Sequence, residues 1–313
     1  MRKLISIIIA TYNRGKSLAQ TLDDILLLEI GDTFDYEVIV VDNNSTDDTR
    51  KVVDDQLSTW GGRLRYFFEP TPGKSYALNK GVQEARGEIL AFTDDDVELE
   101  ATWLSELVKC FEQYQCDGVG GRVLPIYPAD TPQWIKANAV QMAGAVVIYE
   151  YGDAVKPLAK TMYPFIGANY AFRRQMFSEY GLFREDLGPG APAMGEDTEL
   201  VERLLTKGKR LYYCGKALVH HPYDPKRMNW RQLARWHMAI GRFDAQREIQ
   251  SGEAFVYYFG IPRYLFKGIM VDLGRLSINC FNRLGIWNAW RSFFRKAGMI
   301  QQYRLYRAQS KER

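Results

Sequence analysis

The sequence predicts an α/β fold: a mostly parallel central sheet flanked by helices, followed by a C-terminal helical extension. Three observations predict it. Short, near-continuous apolar runs alternate with segments of helical periodicity through the first half of the chain. Several of those runs end in polar turns, and from residue 229 onward the pattern is helical alone. Apolar strands separated by helices mean a sheet covered on both faces, which is how parallel sheets are built.

Strands are read at 4–10, 37–41, 64–68 and 88–92, with helices at 17–28, 47–57 and 75–85 between them. The start, Met1-Arg2-Lys3 before the first apolar run, has the charge of a leader. The run is very short and leads straight into Thr11-Tyr12-Asn13-Arg14, so a buried first strand is expected. Residues 103–114 read as a helix and 118–124 as a further strand. The stretch 125–164 is punctuated by proline without clear periodicity, a setting for substrate-contacting loops. A strand at 163–173, a mobile Gly/Pro-rich loop at 188–195, a helix at 196–206 and a strand at 211–219 complete this part. The later helices are interrupted at Gly260-Ile261-Pro262 and near Gly285. The expected division is one domain over 1–225 and a helical region over 226–313.

Composition bounds the class. Of 313 residues 46% are apolar and 25% charged, ordinary for a globular protein, and no run of 18 apolar residues predicts a transmembrane helix. Cys110, Cys116, Cys214 and Cys280 show no CxxC spacing and read as reduced thiols of a cytosolic protein. The net charge of +3 hides an asymmetry, because 257–313 holds eleven Lys and Arg against two acids. A mildly acidic body with a basic, aromatic tail suits a membrane surface or a polyanion.

In open α/β sheets ligands bind beyond the carboxyl ends of the strands. That rule sets the turns at 11–14, 42–45 and 94–96 along one rim. The sharpest signal is Asp94-Asp95-Asp96, directly after the strand residues Ile89-Leu90-Ala91-Phe92 and Thr93. Three adjacent carboxylates repel one another and are costly to bury unpaired, so a divalent cation carrying a diphosphate is the natural counter-charge. A solvated turn is the plainer alternative. Asp42, at the end of its strand, can accept the imide N–H of uracil or thymine, or a ribose hydroxyl; an Asx turn with Ser45 or Thr46 capping the next helix is the alternative. Gly73-Lys74 opens a helix, so Lys74 and the free amides there can face phosphate.

Five motifs in order closely resemble family 2 glycosyltransferases of the Rossmann-like GT-A fold. They are Ile7-Ile8-Ile9-Ala10-Thr11-Tyr12-Asn13-Arg14, Val40-Val41-Asp42-Asn43-Asn44-Ser45-Thr46-Asp47-Asp48-Thr49, Gly73-Lys74-Ser75-Tyr76-Ala77-Leu78-Asn79-Lys80-Gly81, Asp94-Asp95-Asp96 and Gly195-Glu196-Asp197. Their order and spacing agree over 1–225. The resemblance implies that Thr11 and Asp42 hold the base and ribose of a nucleotide-sugar, with further donor contacts from Asn13, Arg14, Lys74 and Asn79. It implies that Asp94 lies nearest the ribose and sugar and that Asp96 binds Mn²⁺ or Mg²⁺. Asp95 remains open for that second task, since three consecutive acids leave the register unfixed. Where many relatives have Ala-Arg-Asn, this chain has Ala77-Leu78-Asn79, and Lys74 stands in as phosphate partner.

Asp197 resembles the family's catalytic base; an inverting displacement needs a carboxylate opposite the leaving diphosphate. The alternative is that Glu196 and Asp197 simply favour a helix N-terminus. Of His220-His221, the second fits the family's metal-ligand position better. Gln232-Leu233-Ala234-Arg235-Trp236 has the QxxRW form of processive polysaccharide synthases, which adds Arg235 and Trp236 to the donor set. Those synthases have transmembrane helices that are not expected here, so processivity is not inferred, and helix packing explains the pattern equally well.

The tail interleaves Tyr257, Tyr258, Phe259, Tyr264, Phe266, Trp287, Trp290, Phe293 and Phe294 with Arg263, Lys267, Arg275, Arg283, Arg291, Arg295 and Lys296. Amphipathic helices of this composition suit a bilayer interface, or pack on the body or across a homo-oligomer. No RNA-binding motif accompanies them, so nucleic acid is not expected as a partner. The expectation is therefore a cytoplasmic, metal-dependent, inverting glycosyltransferase, peripheral on the inner face of the cell membrane. It would move one sugar from a UDP-, dTDP- or GDP-linked donor to a glycan or lipid-linked acceptor in surface polysaccharide assembly. Two other classes compete. A sugar-nucleotidyltransferase normally shows a Gly-rich, basic phosphate loop where Thr11-Tyr12-Asn13-Arg14 stands, and a non-catalytic membrane-surface scaffold would bind neither metal nor nucleotide.

Overall fold

The computed structural model describes residues 2–142, 144–159, 161–252, 254–279 and 282–311. Along the chain the elements are β1 (Lys3–Thr11), α1 (Gly15–Leu26), β2 (Phe34–Asp42), α2 (Thr49–Gln56), β3 (Leu64–Phe68), α3 (Lys74–Glu84), β4 (Ile89–Thr93) and β5 (Glu98–Leu99). They continue as α4 (Trp103–Tyr114), β6 (Gly118–Ile126), α5 (Gln133–Lys136), β7 (Val155–Pro157), β8 (Asn169–Arg173), α6 (Gln175–Tyr180), α7 (Glu196–Thr206) and β9 (Leu211–Pro222). The last are α8 (Trp230–Ser251), a ribbon of β10 (Tyr257–Tyr258) and β11 (Ile261–Pro262), α9 (Arg263–Ile278) and α10 (Arg283–Lys311).

The chain forms two compact units. The first comprises Met1–Tyr127, Val147–Glu185 and Glu196–Tyr223; the second comprises Pro128–Val146, Asp186–Gly195 and Asp224–Arg313. In the first unit nine strands among the described residues make one sheet, in the order β3-β2-β1-β4-β8-β6-β9-β5, with β7 on β9. Strands β1, β2, β3, β4, β6 and β9 run one way, so the expected mostly parallel sheet is found. β8 runs against them between β4 and β6. The expected strand at 163–173 forms only from Asn169, because Pro164 and Gly167 interrupt the ladder before it.

The apolar runs lie in the core as their composition requires: Ile5, Ile7, Ile8, Ile9, Val38, Ile39, Val40 and Val41 are fully buried. α1 covers them with Leu18, Leu22 and Ile25, a single helical stripe. α3 comes close because residue 81 is glycine; a Cβ there would sit 2.5 Å from Cγ2 of Ile8. Phe92, Phe172, Phe177 and Phe183 pack ring against ring beneath the sheet's centre. Cys110, Cys116 and Cys214 are buried free thiols, as expected, while Cys280 lies outside the described residues.

In the second unit α10 packs along α8 and α9. Gly241 and Gly298 allow backbone-close helix crossing: a Cβ at Gly298 would lie 2.0 Å from the carbonyl oxygen of Met238. Trp287 is fully buried, its Nε1–H donating to the carbonyl of Gln141 at 3.1 Å. Trp230, Trp290 and His237 gather round it. Part of the aromatic tail is therefore core of its own unit, with its rings turned away from solvent.

Candidate active site

Register explains why the polar turns meet. Thr11 pairs with Asp42 across β1 and β2, and Ile9 pairs with Thr93 across β1 and β4, so all three strands end at one edge. Thr11 Oγ1 donates to Asp95 Oδ2 at 2.6 Å. Arg14, from the same turn, reaches Asp95 Oδ1 at 3.5 Å and makes a close ion pair with Asp96. Burial raises the Asp95 carboxyl to about 7, against the pull of Arg14 and Thr11.

Asp42 Oδ1 accepts the Ser45 N–H and Oδ2 accepts the Tyr66 hydroxyl, each at 2.8 Å. Arg50 lies over the Tyr66 ring at 4.1 Å from its centroid. Asn13 adopts φ 53°, and its side-chain Oδ1 accepts the Thr46 N–H at 2.7 Å. It ties the β1 turn to the β2–α2 loop. The turn before α2 is closed by Asp47, which accepts from Thr49 N–H at 3.0 Å, whereas Ser45 accepts from Asn13 N–H at 2.8 Å. Asn79 is buried on α3 and exchanges two 2.9 Å bonds with the backbone of Phe183. Its amide holds the loop after α6 in place.

The centre of the site is Gly167. A Cβ there would lie 3.1 Å from Lys74 Nζ, 3.8 Å from Asp197 Oδ2 and 4.0 Å from Asp94 Oδ1. Lys74, at the first turn of α3, donates to Asp94 Oδ1 at 2.5 Å. Burial works to strip its proton, but Asp94, Glu196 and Asp197 outweigh that and hold the ammonium above its ordinary value. Asp197, in the first turn of α7, accepts the Thr198 N–H at 2.7 Å. Burial raises its carboxyl, and Glu196 beside it is raised by burial and by Asp197. Gly167 and Glu196 are site features that motif reading did not assign; Gly167 precedes β8 with no local signal beyond being a glycine.

His220 and His221 separate because consecutive strand residues face opposite ways. His220 Nε2 pairs with Glu100 at 3.1 Å. His221 is buried, with Nε2 3.5 Å from Asp96 Oδ1 and Nδ1 2.9 Å from the carbonyl oxygen of Pro222. A carbonyl only accepts, so Nδ1 donates there and Nε2 is the ring nitrogen turned to Asp96. β9 reaches this point through an irregularity: its register with β6 jumps between Gly121 and Arg122. Asn169, fully buried, spans the jump by donating to the carbonyls of Arg122 and Ala217 and accepting from Trp103 Nε1 at 2.8 Å.

Asp94, Asp96 and His221 each offer one ligand atom, all within 4.8 Å of one another. Two carboxylates and a neutral imidazole are a donor set suited to a divalent cation such as Mn²⁺ or Mg²⁺. Five carboxyls (Asp94, Asp95, Asp96, Glu196, Asp197) face two cations (Arg14, Lys74) at this rim, which leaves negative charge for a metal to neutralise. Arg235 and Trp236 lie on α8 in the second unit, where the Trp236 ring closes on Gly144; a Cβ there would lie 1.9 Å from it.

The profile of glycosyl transferase family 2 matches residues 6–181, more than half of the chain. The chain belongs to this family. It is 26% identical over 227 residues to a glucosyl-dolichyl phosphate glucuronosyltransferase of Haloferax volcanii, covering 69% of this chain and 68% of that protein. It is 26% identical over 239 residues to the succinoglycan biosynthesis protein ExoM of Rhizobium meliloti, covering 76% and 73%. In fold it is similar to the mannosyltransferase PcManGT of Pyrobaculum calidifontis, solved with GDP-Man and Mn²⁺. The TM-score is 0.63 at 17% identity, over 96% of this chain and 87% of the other. The protein is a glycosyltransferase with the GT-A fold and a helical C-terminal part, as the motifs imply, which sets the nucleotidyltransferase and scaffold readings aside.

Proposed function

We propose that this glycosyltransferase moves one sugar from a nucleoside-diphosphate donor to a glycan or lipid-linked acceptor, with inversion and with a divalent cation. The observation that carries the reading is the convergence of Lys74, Asp94 and Asp197 on Gly167, beside Asp94, Asp96 and His221. Residues 1–225 would form the donor-binding catalytic domain, and 226–313 its helical companion.

The residues divide the work by chemistry. Asp42 meets the base or ribose with the lone pairs left beyond Ser45 and Tyr66, and Asp95 fixes Thr11 at the same edge. Asp94, Asp96 and His221 would hold the cation, which when bound neutralises charge on the departing diphosphate. Lys74 and Arg14 exchange their carboxylate partners for phosphate oxygens as the donor enters. Asp197 then takes the proton of the acceptor hydroxyl. The acceptor oxygen bonds to the anomeric carbon as the bond from that carbon to the diphosphate breaks on the opposite face, which inverts the configuration. Burial lifts the Asp197 carboxyl and so strengthens it as a base. Asn13 and Asn79 support the reading indirectly by holding the loops in place.

Relatives named for glucosyl-dolichyl phosphate and for succinoglycan biosynthesis favour a glycan or lipid-linked acceptor. The test is a panel of UDP-, dTDP- and GDP-sugars titrated with Mn²⁺ or Mg²⁺, followed by transfer and assignment of the product anomer by NMR. One donor binding only with metal, and a product of opposite anomeric configuration, is expected. Absence of binding across the panel, or retention of configuration, overturns the reading.

A further inference from the structure

We propose that the outer face of α9 and the β10–β11 hairpin together form a docking surface for an anionic lipid bilayer, with the helix lying on the membrane and not crossing it. The inference stands apart from the catalytic reading, since every residue it uses belongs to the second unit.

α9 is apolar on two sides: Leu265 packs inward, fully buried, and the outward side is apolar as well. A surface helix normally turns its apolar stripe inward and its charges outward. Here Phe266, Met270 and Leu273, at spacings of four and three, are all exposed, Met270 by 68%, and Val271 and Ile278 are exposed as well. The inner face carries Leu265 and Asp272, both fully buried, with Asp272 Oδ2 2.7 Å from Lys296 Nζ on α10. Burying a carboxylate while presenting five large apolar side chains to solvent makes sense only if something covers the outer face.

The hairpin that leads into α9 presents exposed aromatic side chains as well. Phe259 at its tip is 87% exposed and adopts φ 53°, and Tyr257 and Tyr258 beside it are exposed too. β11 runs directly into α9 through Pro262, so tip and helix are rigidly joined. Arg307 of α10 donates to the Phe259 carbonyl, and Arg263 lies over the Tyr258 ring at 5.4 Å. The tip is thus held out by its neighbours.

Charge selects the occupant. Arg263, Lys267 and Arg275 are exposed on the same helix. Between 257 and 311 the one carboxylate in the sequence is Asp272, and it faces inward. A second copy of this face would bring like charges together, whereas anionic headgroups would be matched, with the aromatic rings at headgroup depth. Sixteen residues of helix reach about 24 Å, and among the described residues no helix is long and apolar enough to cross a bilayer.

The test is co-sedimentation of the full chain, without donor, with phosphatidylglycerol-containing vesicles and with pure phosphatidylcholine vesicles, at low and high salt. Binding to the anionic vesicles that weakens with salt is expected. Combined Phe259→Ser, Phe266→Ser and Met270→Ser should lower partitioning by roughly tenfold or more at an unchanged melting temperature and unchanged donor hydrolysis in vesicle-free solution. Arg263→Glu with Lys267→Glu should remove the preference for anionic lipid. No vesicle binding by the intact chain, or equal binding by all variants, overturns the proposal. So does a concentration-dependent dimer in sedimentation velocity that the triple serine variant dissolves, because a second copy is then the occupant.

Discussion

Nε2 of His221 and Oδ1 of Asp96 lie 3.5 Å apart, while the other ring nitrogen of His221 is committed to the Pro222 carbonyl. A ring nitrogen and a carboxylate oxygen so placed, with Asp94 beside them, can share a cation. Asp96→Ala is therefore expected to abolish saturable Mn²⁺ binding in calorimetry, and His221→Ala to weaken it strongly. His220→Ala, facing Glu100 on the other side of β9, should leave it intact. Equal loss from both histidine variants would remove His221 from the metal site.

Asp197 is half-buried at the start of α7, with its Oδ1 bonded to the next backbone amide. Asp197→Asn keeps that bond and the side-chain shape but cannot accept a proton. Donor affinity should stay within about twofold, whereas turnover in transfer should fall by roughly 10²–10⁴-fold, the range general-base catalysis contributes. Measuring binding by calorimetry and transfer by product release separates the two. Unimpaired transfer would put the base elsewhere.

The sheet and its rim were legible in the chain because each depends on local pattern. Apolar runs at 4–10 and 37–41 leave no other burial than a two-sided sheet, and their polar ends necessarily emerge at one edge. Gly167 and Asn169 were not legible. One matters for the side chain it lacks and the other for bonds to residues about fifty positions away, and neither property leaves a periodic trace. The tail misleads for a related reason. Trp287 and Phe266 look alike in composition, yet the first is core and the second exposed, a difference set by which face of each helix meets α8 and α10. Asn79 sits inside a motif expected to face the donor, while its own amide is turned to the backbone of Phe183.

Gly167→Ala tests the crowding at the centre of the site. The added methyl would lie 3.1 Å from Lys74 Nζ, closer than ordinary contact. The neighbour is the flexible end of a lysine, so the fold should tolerate the change with a melting temperature within a few degrees, about 1 kcal/mol. The ammonium must give by a few tenths of an ångström, and displacement at a reacting centre is costly to rate. Transfer should fall about tenfold or more. Wild-type turnover in Gly167→Ala would mean that the space above Gly167 is not where sugar and base meet.

His237 supplies a pH test in the second unit. It is buried on α8 among Trp236, Trp287 and Trp290, and Nε2 has no hydrogen-bond partner among the described residues. Burial first, then Arg291 and Arg295, lower its pKa to about 3 from the ordinary 6.5. The sign follows from proton counting. Between about 3 and 6.5 the unfolded chain holds a proton on this ring that the folded chain does not, so the unfolded state gains as pH falls. The stability contributed by the neutral ring is fully present above 6.5 and is lost progressively towards 3, at a slope approaching about 1.4 kcal/mol per pH unit. Urea titrations at stepped pH should show that loss for the wild-type chain. His237→Phe keeps an aromatic ring in the tryptophan cluster and removes the titrating group, so its stability should fall less steeply over the same window. If both proteins lose stability in parallel, the ring is already protonated in the folded state and one of its neighbours must supply a partner for Nε2.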